Sequence, residues 1–152
     1  EAGVLVPSET IDRVTNYLRD QVWDERTGGF GYQGKGYTVA CTAGGVYAAQ
    51  LAGNRDTEWV EAALSSLENN PKVFSRKDNG HFYYSHYYAM QAMVQAGDER
   101  YANWDPKIRD ALIALQQPNG SWQEKEADYP HKTPMAIIIL GTPHRYIPVY
   151  QR

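Results

Sequence analysis

A chain of 152 residues, 42% hydrophobic and 22% charged, has the length and apolar content of one folded domain rather than of a disordered segment. A net charge of -3 with no basic run argues against nucleic acid as a main partner, and the longest wholly apolar run, Met135–Leu140, is far short of the roughly 18 residues a membrane span needs. The single cysteine, Cys41, excludes an internal disulfide framework and an all-cysteine zinc site, and it leaves the redox compartment undecided. The chain starts Glu-Ala-Gly, without Met or a signal peptide, and is expected to be a piece of a longer protein.

Helical periodicity dominates from the start. Ser8 is a candidate N-cap, and Ile11, Val14, Tyr17 and Leu18 follow at helical spacing until Gly28-Gly29. Gly29-Phe30-Gly31-Tyr32 reads as a glycine–aromatic turn. A second helix is predicted over Thr38–Leu51, rich in Ala and Gly, ending at Gly53. Asp56 or Thr57 opens a third, with Trp59, Val60, Ala63, Leu64 and Leu67 on one side, and Asn69-Asn70-Pro71 closes it. Lys72–Gly80 reads as a polar loop. A fourth helix is predicted over Phe82–Ala96 and stops at Gly97. Asp105 then reads as an N-cap and Pro106 as the first residue of a fifth helix with an Ile108, Ala111, Leu112, Leu115 stripe, broken at Pro118-Asn119-Gly120. A sixth is predicted over Thr133–Leu140, and Pro143 and Pro148 make the remainder an extended tail. Strand signals are weak.

The helix-ending glycines Gly53, Gly97 and Gly141 stand 44 residues apart, each with an alanine five residues before it: Ala48, Ala92 and Ala136. A fixed period of this size marks an array of helix pairs. The first helix of each pair carries one apolar stripe and one charged face, as a helix wet on one side does. The second is nearly free of charge: 39–52 holds no charged residue, and 83–96 holds none unless His86 is protonated. Charged outer helices around neutral inner helices describe an all-α array, an α/α barrel or an arc of one. Ala43, Gly44, Gly45, Ala48 and Ala49 then read as residues that let inner helices approach closely, rather than as ligand contacts.

Several of these segments resemble a known family. Leu115-Gln116-Gln117-Pro118-Asn119-Gly120-Ser121-Trp122 resembles the Gln-Trp repeat motif of squalene and oxidosqualene cyclases, and Tyr17-Leu18, Gln21 and Gly28–Tyr32 resemble a looser copy. Thr42–Tyr47, Gln50–Gly53, Tyr83–Ala92 and the ending Pro143–Arg152 are similar to bacterial proteins with prenyltransferase and squalene oxidase repeats. The resemblance covers most of the chain. It implies an α/α toroid of about six helix pairs, the superfamily of terpenoid cyclases and protein prenyltransferases, of which residues 1–152 would be one repeat domain, a half-ring of about three helix pairs forming the C-terminal part. It thereby implies a partner, either the upstream part of the ring or a second copy of the half-ring. In that family the motif's Gln ties a helix end and its Trp covers it, so Gln117, Gly120 and Trp122 are expected to be structural.

The chemistry is sparser. The Asp-x-Asp-Asp acid of proton-initiated terpene cyclases is missing, and Glu124, Glu126 and Asp128 alternate in what reads as a solvated loop. Protein prenyltransferases hold zinc with Asp, Cys and His. Counted back from the glycine stops, Cys41 aligns with Ser85 and Tyr129, and Thr42 with His86 and Pro130, so that Cys41, His86 and His131, with Asp128 nearby, form a formal ligand set. Val39 stands where the family has the Asp two residues before the Cys, which favours a small packed thiol and hydrogen-bonded histidines. Cys41 with His86 or His131 is also a formal nucleophile pair, whose geometry a sequence does not fix. The Cys-Gly-Glu-Gln run of thioester-forming toroids and a phosphate-cradling glycine loop are both lacking. Tyr83, Tyr84, Tyr87 and Tyr88, with His86, form the most suggestive surface. They read either as aromatic core or as the lining of a concave face that takes an apolar molecule or a protein segment. The expected function is a non-catalytic repeat domain binding on that face, needing no cofactor. The competing expectations are a terpene cyclase- or prenyltransferase-type enzyme, with zinc as an option, and a purely structural self-pairing half-ring.

Overall fold

The computed structural model describes residues 4–123 and 130–144. Helix α1 (Ser8–Asn16) runs into one π-helical turn (Tyr17–Val22), after which the chain makes a two-residue hairpin, β1 (Trp23–Asp24) against β2 (Gly29–Phe30). The hairpin turn is tied by Asp24, whose carboxylate accepts the Arg26 backbone N–H at 3.0 Å and whose carbonyl accepts that of Gly28 at 2.8 Å. Five helices follow: α2 (Val39–Leu51), α3 (Glu58–Glu68), α4 (Phe82–Ala96), α5 (Asp98–Leu115) and α6 (Lys132–Gly141). The class is all-α. Among the described residues the hairpin is the only sheet.

The uncharged helices pack on one another. Helix α4 lies against both α2 and α6, and the charged helices flank this row, α3 on α2 and α5 on α4. Helix α3 buries the stripe Trp59, Val60, Ala63, Leu64 and Leu67, as its periodicity predicts, and α5 buries Trp104, Ile108 and Leu112. On the wet side Arg100 of α5 bridges Glu61, at 2.6 Å, and Glu68 of α3. Helix α4 is covered most completely, with ten of its fifteen residues buried. It is joined to α2 by the Gln50 amide, which donates to the Ala92 carbonyl at 3.1 Å, and by the Tyr47–Tyr88 ring contact.

Several boundaries differ from expectation: the first helix, expected to continue until Gly28-Gly29, ends at Val22 before the hairpin. Helix α5 begins at Asp98, and Pro106 lies inside it. The acidic first turn, Asp98-Glu99, suits the positive end of the helix dipole, and the buried Trp104 continues the Ile108–Leu112 stripe backwards, so the apolar face outweighs the one hydrogen bond a proline removes. The expected polar loop after α3 holds a short 3-10 helix, Pro71–Phe74, whose Val73 is fully buried, and Asn79 is buried beneath it. Ser8 is the first residue of α1, with Pro7 before it as the cap.

The repeat is visible in the backbone, but unevenly. Gly53 (φ +91°) and Gly97 (φ +125°) leave their helices in the left-handed half of φ space, whereas Gly141 is the last residue of α6, which runs on into a 3-10 turn at Thr142–His144. A second correspondence links the two glycine–aromatic turns. Gly28 and Gly120 both have positive φ, and two residues later the backbone N–H of Phe30 and of Trp122 donates to a threonine on the following inner helix, Thr42 Oγ1 at 3.0 Å and Thr133 Oγ1 at 3.1 Å. The looser Gly–aromatic turn and the Gln–Gly–Trp turn are therefore tied to the helices that follow them, α2 and α6, in the same way.

Candidate functional site

The Gln–Gly–Trp turn is structural in its contacts. Gln117 Nε2 donates to the Leu115 carbonyl at 3.2 Å, and the buried Trp122 indole N–H donates to the Leu112 carbonyl at 2.8 Å. Both satisfy carbonyls that the end of α5 leaves unpaired. The Gly120 N–H closes the turn on the Gln117 carbonyl at 2.8 Å.

The four tyrosines and His86 do not share one environment. Tyr83 is buried beneath Phe82 and Arg76, and Tyr87 and Tyr88 are half-buried. Tyr84 is 43% exposed, with its ring edge-on to Tyr88 at 5.0 Å. Burial and the neighbouring Tyr84 raise the Tyr88 phenol above its ordinary value. His86 is fully buried among Phe74, Phe82 and Trp104, far from a ligand-facing role. Its Nε2–H donates to the Val73 carbonyl at 3.1 Å, and Nδ1 has no partner among the described residues. Burial pushes the ring pKa from 6.5 down to about 4, so His86 is neutral at physiological pH.

The expected zinc set is not gathered. Cys41 is half-buried on α2, the His86 ring is enclosed in the core, His131 is exposed before α6, and Asp128 lies outside the described residues. Among the described residues no three His, Cys, Asp or Glu side chains converge as a metal would need.

What the fold does build is a groove of about 660 Å³ along the face of α2 turned away from α4's core contacts. Its floor is Ala40, Cys41, Gly44, Gly45 and Ala48 of α2. One wall is the π-turn, through Tyr17, Leu18 and Val22, and the hairpin, through Phe30, Gly31 and Tyr32. The other is His81 and Tyr84 at the start of α4. The surface is mainly apolar, and its lining residues with polar side-chain groups are Cys41, Thr38, His81, Tyr17, Tyr32 and Tyr84. Of the expected ligand-binding residues only Tyr84 lines it. In the sequence Tyr17 and Tyr32 read only as parts of the first helix and of the glycine–aromatic turn, and His81 carries no signal beyond being aromatic. Gly44 carries one in retrospect: a Cβ there would meet nothing within 4 Å, whereas a Cβ on Gly45 would lie 2.8 Å from the Phe30 ring. Gly45 is small because it is packed against, and Gly44 is small beside open space. No protein-family model, curated protein or solved structure matches this chain.

Proposed function

We propose that this chain is a helix-pair repeat domain of the kind found in prenyltransferase and squalene-cyclase toroids, and that the α2 groove binds an apolar small molecule or an apolar protein segment without chemistry of its own. The observation that carries the reading is the open apolar floor of the groove, where Gly44 faces free space on an uncharged helix. Exposing such a surface to water is costly, at about 25 cal/mol per Å² of apolar area, and an occupant recovers that cost. Tyrosines at the rim offer area together with a hydroxyl for orientation.

The test is titration with an environment-sensitive apolar fluorophore, for wild type and Gly44→Leu. A Cβ at Gly44 meets no atom within 4 Å and the side chain beyond it enters the groove, so the variant is expected to fold and to bind the fluorophore at least about tenfold more weakly, which corresponds to about 1.4 kcal/mol. Equal affinity in the two proteins, or no binding to wild type diluted to the monomer, overturns the reading.

A further inference from the structure

The 44-residue register says what kind of surface belongs in the groove. On α4 the stripe Ser85, Ala89 and Ala92 is fully buried, and the Ala92 carbonyl takes the Gln50 amide of α2, which places that end of the stripe on the α2 side. The corresponding residues of α2 are Cys41, Gly45 and Ala48. All three are only half-buried, and all three line the groove. The groove is therefore the seat that α4 offers to α2, and α6 to α4, repeated once more on α2 with no helix among the described residues to fill it.

The other end of the row is open in the complementary sense. Ile137 of α6 is 57% exposed, while the residues one and two periods before it, Met93 and Ala49, are fully buried. Apart from Lys132, which is buried, α6 has no charged residue to keep its outer face wet. Helix α1 buries none of its residues and exposes Ile11 and Val14 along one side. Inside the chain each outer helix packs on the inner helix before it, α3 on α2 and α5 on α4. By the same step α1 would pack on the inner helix of a preceding module, which this chain does not place there.

We propose that copies of this chain associate head to tail, with α6 of one copy seated in the α2 groove of the next and α1 of that next copy closing over Ile137. The proposal rests on the groove being a binding surface and names its occupant. The contact continues an interface established twice within the chain, uncharged helix on uncharged helix with an outer helix over the joint. It is heterologous, so it leads to a closed ring or to a growing chain of copies.

Because the two faces differ, the test is complementation. Wild type, Gly44→Glu (groove side), Ile137→Glu (α6 side) and an equimolar mixture of the two variants are sized by light scattering and sedimentation over a wide concentration range. Both sites face open space or solvent, and circular dichroism with thermal melting verifies folding; Gly44→Gln replaces the first variant if it melts early. Wild type is expected at twice the monomer mass or more, each variant alone at the monomer mass, and the mixture as a one-to-one dimer held by its single intact junction. A monomeric wild type, a variant that still self-associates, or a mixture that stays monomeric overturns the proposal. The apolar fluorophore is titrated into monomeric Ile137→Glu in parallel. Binding there with a monomeric wild type sinks the assembly alone, and no binding there or in wild type sinks the groove reading as well.

Discussion

Adjacent glycines on α2 have opposite roles, and the difference is measurable. A methyl group at Gly45 would press on the fully buried Phe30 ring, whose neighbours leave it little room to yield. Gly45→Ala is expected to destabilise the fold by about 1–3 kcal/mol, the usual cost of overpacking. Gly44→Ala meets no atom and removes backbone freedom from the unfolded chain, so it is expected to stabilise by about 0.5–1 kcal/mol. Denaturant melts of the two variants check the sign, and equal effects would falsify the assignment of the groove floor. His86 makes a second residue-scale prediction. Its ring is held neutral in the core, with a pKa of about 4 against 6.5 for the exposed group. The unfolded chain therefore binds the proton first. The stability contributed by the neutral ring is complete above pH 6.5 and is withdrawn as pH falls towards 4, by up to about 3 kcal/mol. Asp20 and Asp24, held below the ordinary carboxylate value of 3.8 by Arg19 and Arg26, withdraw their share only at lower pH. Stability measured between pH 7 and 4.5 is expected to fall steeply in wild type and to flatten in His86→Gln. An unchanged slope in the variant would assign the acid sensitivity to other groups.

Among the elements, α2 and α6 are each tied by a single hydrogen bond to the turn before them. Thr42 is fully buried, and its hydroxyl is the acceptor for the Phe30 N–H. Thr42→Val keeps the shape and orphans that N–H, an expected loss of about 1–3 kcal/mol in a thermal or denaturant melt. Thr133→Val, at the matching but part-buried bond to Trp122, is expected to cost less, because water can reach the freed group. A larger loss at Thr133 would contradict the equivalence of the two turns. The existence of each of the six α-helices was legible from periodicity and from glycine or proline stops, since an amphipathic stripe and a left-handed exit leave direct traces in residue type. The start of α5 was not legible, because an Asp-Pro pair looks like a cap when the burial of Trp104 is unseen. The short helix at Pro71–Phe74 was hidden for a similar reason: one buried residue, Val73, sits in an otherwise polar segment. The candidate site was legible only in part. The small residues of α2 stand out in the sequence, but packing against Phe30 and facing open space select the same residue types, and only coordinates separate Gly45 from Gly44. The tyrosine cluster looked uniform for a like reason, since four rings in six residues must point in different directions around a helix, and only Tyr84 reaches the groove.

Across the whole molecule, burial is graded along the chain, and local stability should follow it. Helix α4 packs against α2, α6 and α5, with ten residues buried, whereas α1 buries none. Opening of α4 exposes much of the core and so approaches global unfolding, while opening of α1 exposes almost nothing new. In the Ile137→Glu protein, amide hydrogen exchange is expected to rank α4 slowest and α1 fastest, with opening free energies about 5 kcal/mol or more apart. The groove ties this gradient to assembly. If an α6 helix from a second copy seats on α2, the π-turn Tyr17–Val22 and the exposed stripe of α1 become an interior joint, and their amides should slow as wild-type concentration rises while those of α4 stay unchanged. Gly44→Glu removes that concentration dependence without altering the slow exchange of α4. Strong protection of α1 in a dilute, monomeric protein would mean that the first helix is already covered by its own chain, and the open-edge argument would fail at its starting point.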